Sequence, residues 1–295
     1  MRFEKWQALG NDYLILETEQ LPFELTPARI RRLCKGHFGV HADGILLLAP
    51  AGDEEHVAEL RIFNPDGSEA ELSGNGAREA ILYLRRRGWT DRDRFAIRTA
   101  AGTIRPTITG HDTCSVDMGR AALVSGNFPG GPEDGRGVVS AGGRAWPFQH
   151  VSIGNPQCAI HVDTLEQLEG LDLAALGPPI EADPQFPNRT NVSWYTEVPG
   201  GGATSDRHIR ARIFERGVGE TLSSGTGATG AAVAHVSATD ASAHGGAVRV
   251  LVTLDGGELQ VEVAADLRVD LTGWARPVFE GRLSDDFEKE LHETE

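Results

Sequence analysis

Phe63-Asn64-Pro65-Asp66-Gly67-Ser68-Glu69-Ala70-Glu71-Leu72-Ser73-Gly74-Asn75-Gly76-Ala77 lies without a gap over Phe214-Glu215-Arg216-Gly217-Val218-Gly219-Glu220-Thr221-Leu222-Ser223-Ser224-Gly225-Thr226-Gly227-Ala228, with Ser73 over Ser224 at an offset of 151 residues. Phe63/Phe214, Glu69/Glu220, Gly74/Gly225, Gly76/Gly227 and Ala77/Ala228 are identical in that register. A weaker echo sets Leu9-Gly10-Asn11-Asp12 over Ile153-Gly154-Asn155-Pro156, offset by 144. Isolated glycine matches arise by chance. A register shared by a strand-end Phe, a Glu and a Ser-Gly-x-Gly-Ala turn does not, so the chain reads as two half-size domains of one fold, facing each other.

Each copy reads as a strand, a glycine-rich turn and a helix. The amides at a helix start have no carbonyl partner inside the helix, and the positive end of the dipole lies there, so the turn is a ready anion site. Ser73 and Ser224 also suit a plain N-cap role, which would suffice for a single copy. A matched pair favours function, because it brings two helix ends and two side chains to opposite sides of one cleft. Inverting an α-carbon needs a base on one face and an acid on the other. Two helix starts aimed at the substrate carboxylate stabilise the carbanion without a cofactor. The groups at 73 and 224 would then have to titrate near neutrality, as a thiol at a helix N-terminus does. The chain has serine at both.

Composition narrows the classes further. Twenty-eight Lys+Arg against 43 Asp+Glu, net −15 over 295 residues, repels phosphate backbones and anionic lipid, so neither nucleic acid nor a membrane is expected as partner. No apolar run nears the roughly 20 residues of a membrane helix, and MRFEKWQALGNDYL lacks the apolar core of a signal peptide; a cytoplasmic address is the expectation. Cys34, Cys114 and Cys158 lack CxxC spacing, and the ten histidines include no HExxH, so no metal is expected. Lysine occurs only at 5, 35 and 289, none in a glycine-rich context, which argues against a pyridoxal phosphate Schiff base. Neither serine lies in a GxSxG elbow.

Short alternating stretches predict strands at 2–8, 12–17, 44–49, 56–63, 95–100, 112–118, 158–162, 210–214, 247–254, 259–263 and 267–271. Helices are predicted from the Thr26-Pro27 cap to a stop at Gly36, over 75–87 with Gly88 beyond, and over 226–236. The Gly- and Pro-rich run 125–144 reads as a linker or long surface loop. Arg85-Arg86-Arg87 ends a helix, where cations offset the dipole.

The motifs ALGNDYLIL, FNPDGSEAELSGNGAR, SIGNPQCAI, NRTNVSW and FERGVGETLSSGTGATGAA resemble, in order and spacing, those of diaminopimelate epimerases, and the likeness runs to LTGWARPVFEG near the end. The resemblance implies an α/β fold of two pseudosymmetric lobes, each a curved mixed sheet wrapped around a central helix. One lobe would span 1–120, with 276–295 returning to it, and the other 121–275. It implies cofactor-independent epimerisation of LL- to meso-diaminopimelate by two-base proton transfer, within lysine and peptidoglycan precursor synthesis, with a small-molecule amino-acid substrate and a homodimer as the candidate assembly. Carried over by position, Asn11, Asn64, Asn155, Asn191, Glu215 and Arg216 would hold the substrate's distal amino-acid group. The turns at Gly74-Asn75 and Gly225-Thr226 would hold the reacting carboxylate. Asn11 and Asn155 also read as ordinary turn residues.

The departures from the family fall on the chemistry. It has cysteine where this chain has Ser73 and Ser224, and usually histidine where this chain has Gln157. An alcohol ionises far less readily than a thiol, and Gln157 cannot act as a base, so Glu215 joins Ser73 and Ser224 as the catalytic set and a poor catalyst is expected. Three readings stand open: an inactivating pair of cysteine-to-serine replacements, a racemase of another polar amino acid, for which Gln157, Gly44 and His41 speak, and an amino-acid-binding homologue without turnover. His41 itself reads as a satisfied loop residue.

Overall fold

A computed structural model of the chain describes residues 1–70, 73–199, 206–239 and 246–294. Glu71 and Leu72, inside the first repeat copy, lie outside the described residues. The chain divides into two compact units, Met1–Val116 with Gly273–Glu295, and Asp117–Thr272.

The first unit carries β1 (Arg2–Ala8), β2 (Asn11–Glu17), α1 (Pro27–Cys34), β3 (Ile45–Pro50), β4 (His56–Phe63), β5 (Glu69–Ala70), α2 (Gly74–Arg86), β6 (Ala96–Thr99), β7 (Gly102–Ile104) and β8 (Thr107–Ile108), and the chain leaves it along β9 (Thr113–Arg120). The second carries β10 (Arg136–Ala141), β11 (Arg144–Ser152), β12 (Pro156–His161), α3 (Leu165–Glu169), α4 (Leu173–Glu181), β13 (Asn191–Glu197), β14 (Asp206–Glu215), β15 (Gly219–Thr221), α5 (Gly225–Ala238), β16 (Val248–Leu254) and β17 (Gly257–Val263). The return runs through β18 (Arg268–Trp274) to β19 (Arg276–Arg282) and α6 (Asp285–Glu293).

Sheet order shows the duplication. The first unit runs β19-β1-β2-β3-β4-β6-β7, the second β10-β11-β12-β13-β14-β16-β17-β18. From β1 onward the pairings are antiparallel, parallel, antiparallel, parallel, antiparallel. From β11 onward the same sequence repeats. Each unit also hangs a short strand on its fourth: Ile62 faces Ala70 and Phe63 faces Glu69, while Ile213 faces Thr221 and Phe214 faces Glu220. These are the same pairs 151 residues apart. Even the cross-strand ion pair recurs, Arg61 to Glu69 at 2.8 Å and Arg212 to Glu220 at 2.6 Å.

Each sheet curls round one helix. In α2 every residue from Asn75 to Leu84 is buried, and it packs on β1, β2 and β3. A helix buried on all sides is ordinarily apolar or small all round, and α2 departs from this at Arg78 and Glu79, both fully buried. The second unit uses small residues: α5 (GTGATGAAVAHVSA) is buried at nearly every position and touches β11, β12, β13, β14, β16 and β17. The repeated glycine lets the helix approach this closely. A Cβ at Gly76 would fall 2.9 Å from Leu46 Cδ2, and one at Gly227 would fall 2.7 Å from Ile213 Cδ1.

Two expectations are corrected. The run 125–144 is not a linker and only its first part is a surface loop: 125–135 is a mostly exposed loop that buries Phe128, while 136–141 form β10, which pairs with β11 through a Gly142-Gly143 turn at φ 60° and 71°, all within the second unit. Gly142 and Gly143 thus belong to a hairpin turn rather than a tether. Nor does Gly36 stop the first helix. The chain turns extended one residue earlier, at Lys35 (φ −64°, ψ 122°). Among the described residues no helix is long and apolar enough to cross a membrane.

Candidate functional site

Ser73 and Ser224 occupy the same local geometry. Ser73 (φ −125°, ψ 125°) caps α2 by accepting the Gly76 amide at 3.1 Å. Ser224 (φ −144°, ψ 123°) caps α5 by accepting the Gly227 amide at 3.2 Å. Capping and anion binding do not compete, since the serine satisfies the third amide of the turn while the amides of Gly74, Asn75, Gly225 and Thr226 lie where no carbonyl of their own helix reaches.

In the first unit the turn draws in a neighbour from β2. Asn75 Nδ2 donates to Asn11 Oδ1 at 3.4 Å, and Asn11 Nδ2 donates to Asp43 Oδ2 at 2.9 Å. Ser73, Gly74, Asn75 and Asn11 are therefore together. Asn64 stays in its own turn, donating from Nδ2 to Ser68 Oγ at 2.9 Å. His41 is an exposed left-handed loop residue (φ 62°) whose carbonyl accepts Lys5 Nζ at 2.6 Å.

In the second unit Gln157 Nε2 donates to Asn155 Oδ1 at 2.7 Å and Asn155 Nδ2 donates to Thr226 Oγ1 at 3.1 Å, which ties β12 to the first turn of α5. Asn191, nearly buried, spans two strand ends: its Oδ1 accepts the Arg216 amide at 2.8 Å and its Nδ2 donates to the Pro156 carbonyl at 3.2 Å. The Arg216 guanidinium is exposed and bonds the Asn188 carbonyl at 2.7 Å. Burial lifts the Glu215 carboxyl above its ordinary range; hydrogen bonding from Thr221, at 2.8 Å, and from Ser224 offsets part of the rise. A raised carboxyl beside a capping serine is what an acid-base role needs.

The thiols cannot take over that role. Cys34, Cys114 and Cys158 are all buried and unpaired. Burial first, then the Asp12 and Asp43 charges, pushes Cys34 to about 12; burial pushes Cys114 to about 12 and Cys158 well above the ordinary range. Such groups stay as neutral thiols at physiological pH.

Two residues near the first turn escaped the sequence reading. Tyr13, at 6% exposure, reads as a core aromatic on an alternating strand, yet its hydroxyl donates to Ser73 Oγ at 3.2 Å. Glu79, inside the helix predicted over 75–87 and not singled out there, is fully buried. Burial drives its carboxyl well above the ordinary range, with Asp12 and Asp43 adding to the rise and the Arg78 charge opposing it.

Because the folded state then holds a proton that the unfolded chain releases above about pH 4.3, stability falls as pH rises from there. Glu79→Gln removes that slope. The variant should match the parent in denaturant midpoint at about pH 4 and exceed it at about pH 8. A parent whose midpoint is flat over this span would refute the assignment.

Similarity to known proteins follows the same lines. The family model described as diaminopimelate epimerase matches residues 3–124 and 149–276. A diaminopimelate epimerase from Synechococcus sp. (strain JA-3-3Ab) is 38% identical over 293 residues, covering 97% of this chain and 99% of the relative. One from Azoarcus sp. (strain BH72) is 37% identical over 287 residues, covering 96% and 98%. Among solved structures, a Bacillus anthracis phenazine biosynthesis protein of the PhzF family superposes with a TM-score of 0.69 at 19% identity, covering 96% of this chain and 99% of its own. A hydroxyproline epimerase from Agrobacterium vitis does so at 0.63 and 14%, covering 96% and 90%. These two share the fold. With duplicated sheets, matched serine-capped turns and a family match over both units on the page, the chain belongs to the diaminopimelate epimerase family.

Proposed function

We propose that the chain binds diaminopimelate and inverts its α-carbon without a cofactor, by proton transfer on two faces, and that serine at 73 and 224 makes this turnover slow. The observation that carries the reading is the pair of serine-capped turns with the same backbone, cap bond and hairpin register in each unit. In the reaction the substrate carboxylate lies against the amides of Gly74-Asn75 and Gly225-Thr226. There the helix dipoles stabilise the charge that grows as the α-proton leaves. Ser73 and Ser224 stand on opposite faces of the carbon, with Glu215 as the proton acceptor behind Ser224. Asn11, Asn64, Asn155, Asn191 and Arg216 hold the second amino-acid head. On this reading the protein is cytoplasmic, serves lysine and peptidoglycan precursor synthesis, and forms a homodimer.

Calorimetric titration tests the substrate. Each charged hydrogen bond to the second head contributes about 1.5–3 kcal/mol, so meso-diaminopimelate should bind roughly tenfold to a hundredfold tighter than polar amino acids with one head. A single-headed amino acid binding tighter would make the chain a racemase of that compound. Binding with no α-proton exchange on any ligand would make it a binding homologue.

A further inference from the structure

The two capping serines have unlike partners. Ser73 Oγ accepts two hydrogen bonds, from the Tyr13 hydroxyl at 3.2 Å and from the Gly76 amide at 3.1 Å. With both lone pairs engaged, what Ser73 has left to give is its own proton. Ser224 Oγ accepts from the Gly227 amide at 3.2 Å, and Glu215, whose Oε1 accepts from Thr221 at 2.8 Å, is the carboxyl whose charged form hydrogen bonding from Ser224 favours. A carboxylate takes the hydroxyl proton and leaves a lone pair on Ser224 open. Ser73 is set to donate and Ser224 to accept.

Tyr13 reaches Ser73 because position 44 has no side chain. A Cβ on Gly44 would lie 2.6 Å from Tyr13 Cε1 and 3.0 Å from its Cδ1, and would strike the Phe63 carbonyl oxygen. The second unit has no equivalent phenol. At the offset of 144 Tyr13 lies over Gln157, which bonds Asn155 instead of a capping serine. The Tyr13-Ser73 contact thus belongs to one half of the duplication and not to the shared fold.

We propose that Tyr13 is the positioning and proton-supplying partner of Ser73, so that Ser224 with Glu215 removes the α-proton and Ser73 with Tyr13 returns one; this rests on the epimerase reading above. The steps balance. Ser224 Oγ takes the α-proton as it passes its own hydroxyl proton to Glu215, and the C–H electron pair stays on the substrate. On the other face the carbanion takes the Ser73 hydroxyl proton, and Ser73 takes the phenolic proton, leaving a Tyr13 phenolate. Water returns a proton to Tyr13 and removes one from Glu215 between turnovers.

The test follows deuterium incorporation into diaminopimelate in D₂O by mass spectrometry, beside calorimetric binding of the same ligand. Tyr13→Phe should slow exchange by roughly 10²-fold, the lower end of acid-base contributions, while leaving affinity within about twofold. In a Ser73→Cys background, where a thiol needs no phenol, the same substitution should change exchange by less than about threefold. Unchanged exchange in Tyr13→Phe overturns the proposal. So does an equal loss in both backgrounds, which would mean the hydroxyl acts on the fold and not through Ser73, and so does a parent that binds the ligand yet exchanges nothing. A parent that does not bind diaminopimelate is identified by calorimetry alone; it refutes the epimerase reading and the relay falls with it.

Discussion

Replacing Ser73 and Ser224 together by cysteine should raise α-proton exchange of diaminopimelate by roughly 10²–10⁴-fold, the span that positioned acids and bases contribute. A thiol has an unperturbed value near about 8.5 and falls further at a helix N-terminus, so a useful fraction is thiolate at neutral pH. Both positions are such termini. Weakening two N-caps costs about 1 kcal/mol each, which denaturant unfolding would register without loss of the fold. The single changes should differ: with Ser224→Cys alone the base improves, and with Ser73→Cys alone the acid no longer depends on Tyr13. A folded double variant that binds diaminopimelate with no faster exchange would identify the chain as a binding protein.

Phe214→Ala should destabilise the protein by about 3–5 kcal/mol, the usual cost of deleting a buried phenylalanine. The ring is 7% exposed and belongs to the core that includes Trp146, Phe148 and Trp194. It also sits directly over Gly177, where a Cβ would fall 2.5 Å from the ring. Glu215 follows it in the chain, so the loss should also weaken ligand binding, because the strand end that aims the carboxyl loses its anchor. Phe63→Ala, the same position one repeat earlier, lies in the other unit's core and should cost a similar amount. Denaturant midpoints measure both; a cost below about 1.5 kcal/mol would show that the ring is not packed as described.

What the sequence made legible was local. Cap, turn and hairpin register are encoded within fifteen consecutive residues, so the two copies could be aligned and their serines singled out before any coordinates. The Tyr13 contact was not legible, because its partner lies 60 residues away and an aromatic on an alternating strand looks like core. β13 (NVSWYTE) is buried along nearly its whole length, which removes the alternation that marks a strand. Pro178 and Pro179 sit inside α4, where proline ordinarily reads as a break. Glycine density at 125–144 hid a hairpin for the same reason: one residue type serves both tight turns and tethers.

The pairing of β1 with β19, at the two ends of the described chain, has a consequence for biogenesis. Arg2 lies opposite Arg282, the Met1 amino group meets Glu288, and the Leu283 amide donates to the Met1 carbonyl at 3.0 Å. The strand that borders β1 therefore emerges from the ribosome only after the whole of Asp117–Thr272, long after β2 to β7. The segment between, Asp117–Thr272, is contiguous and can complete its own sheet while the nascent chain is still tethered. The second half to be encoded is then the first able to finish, and β1 waits beside an open edge until β19 has followed it out.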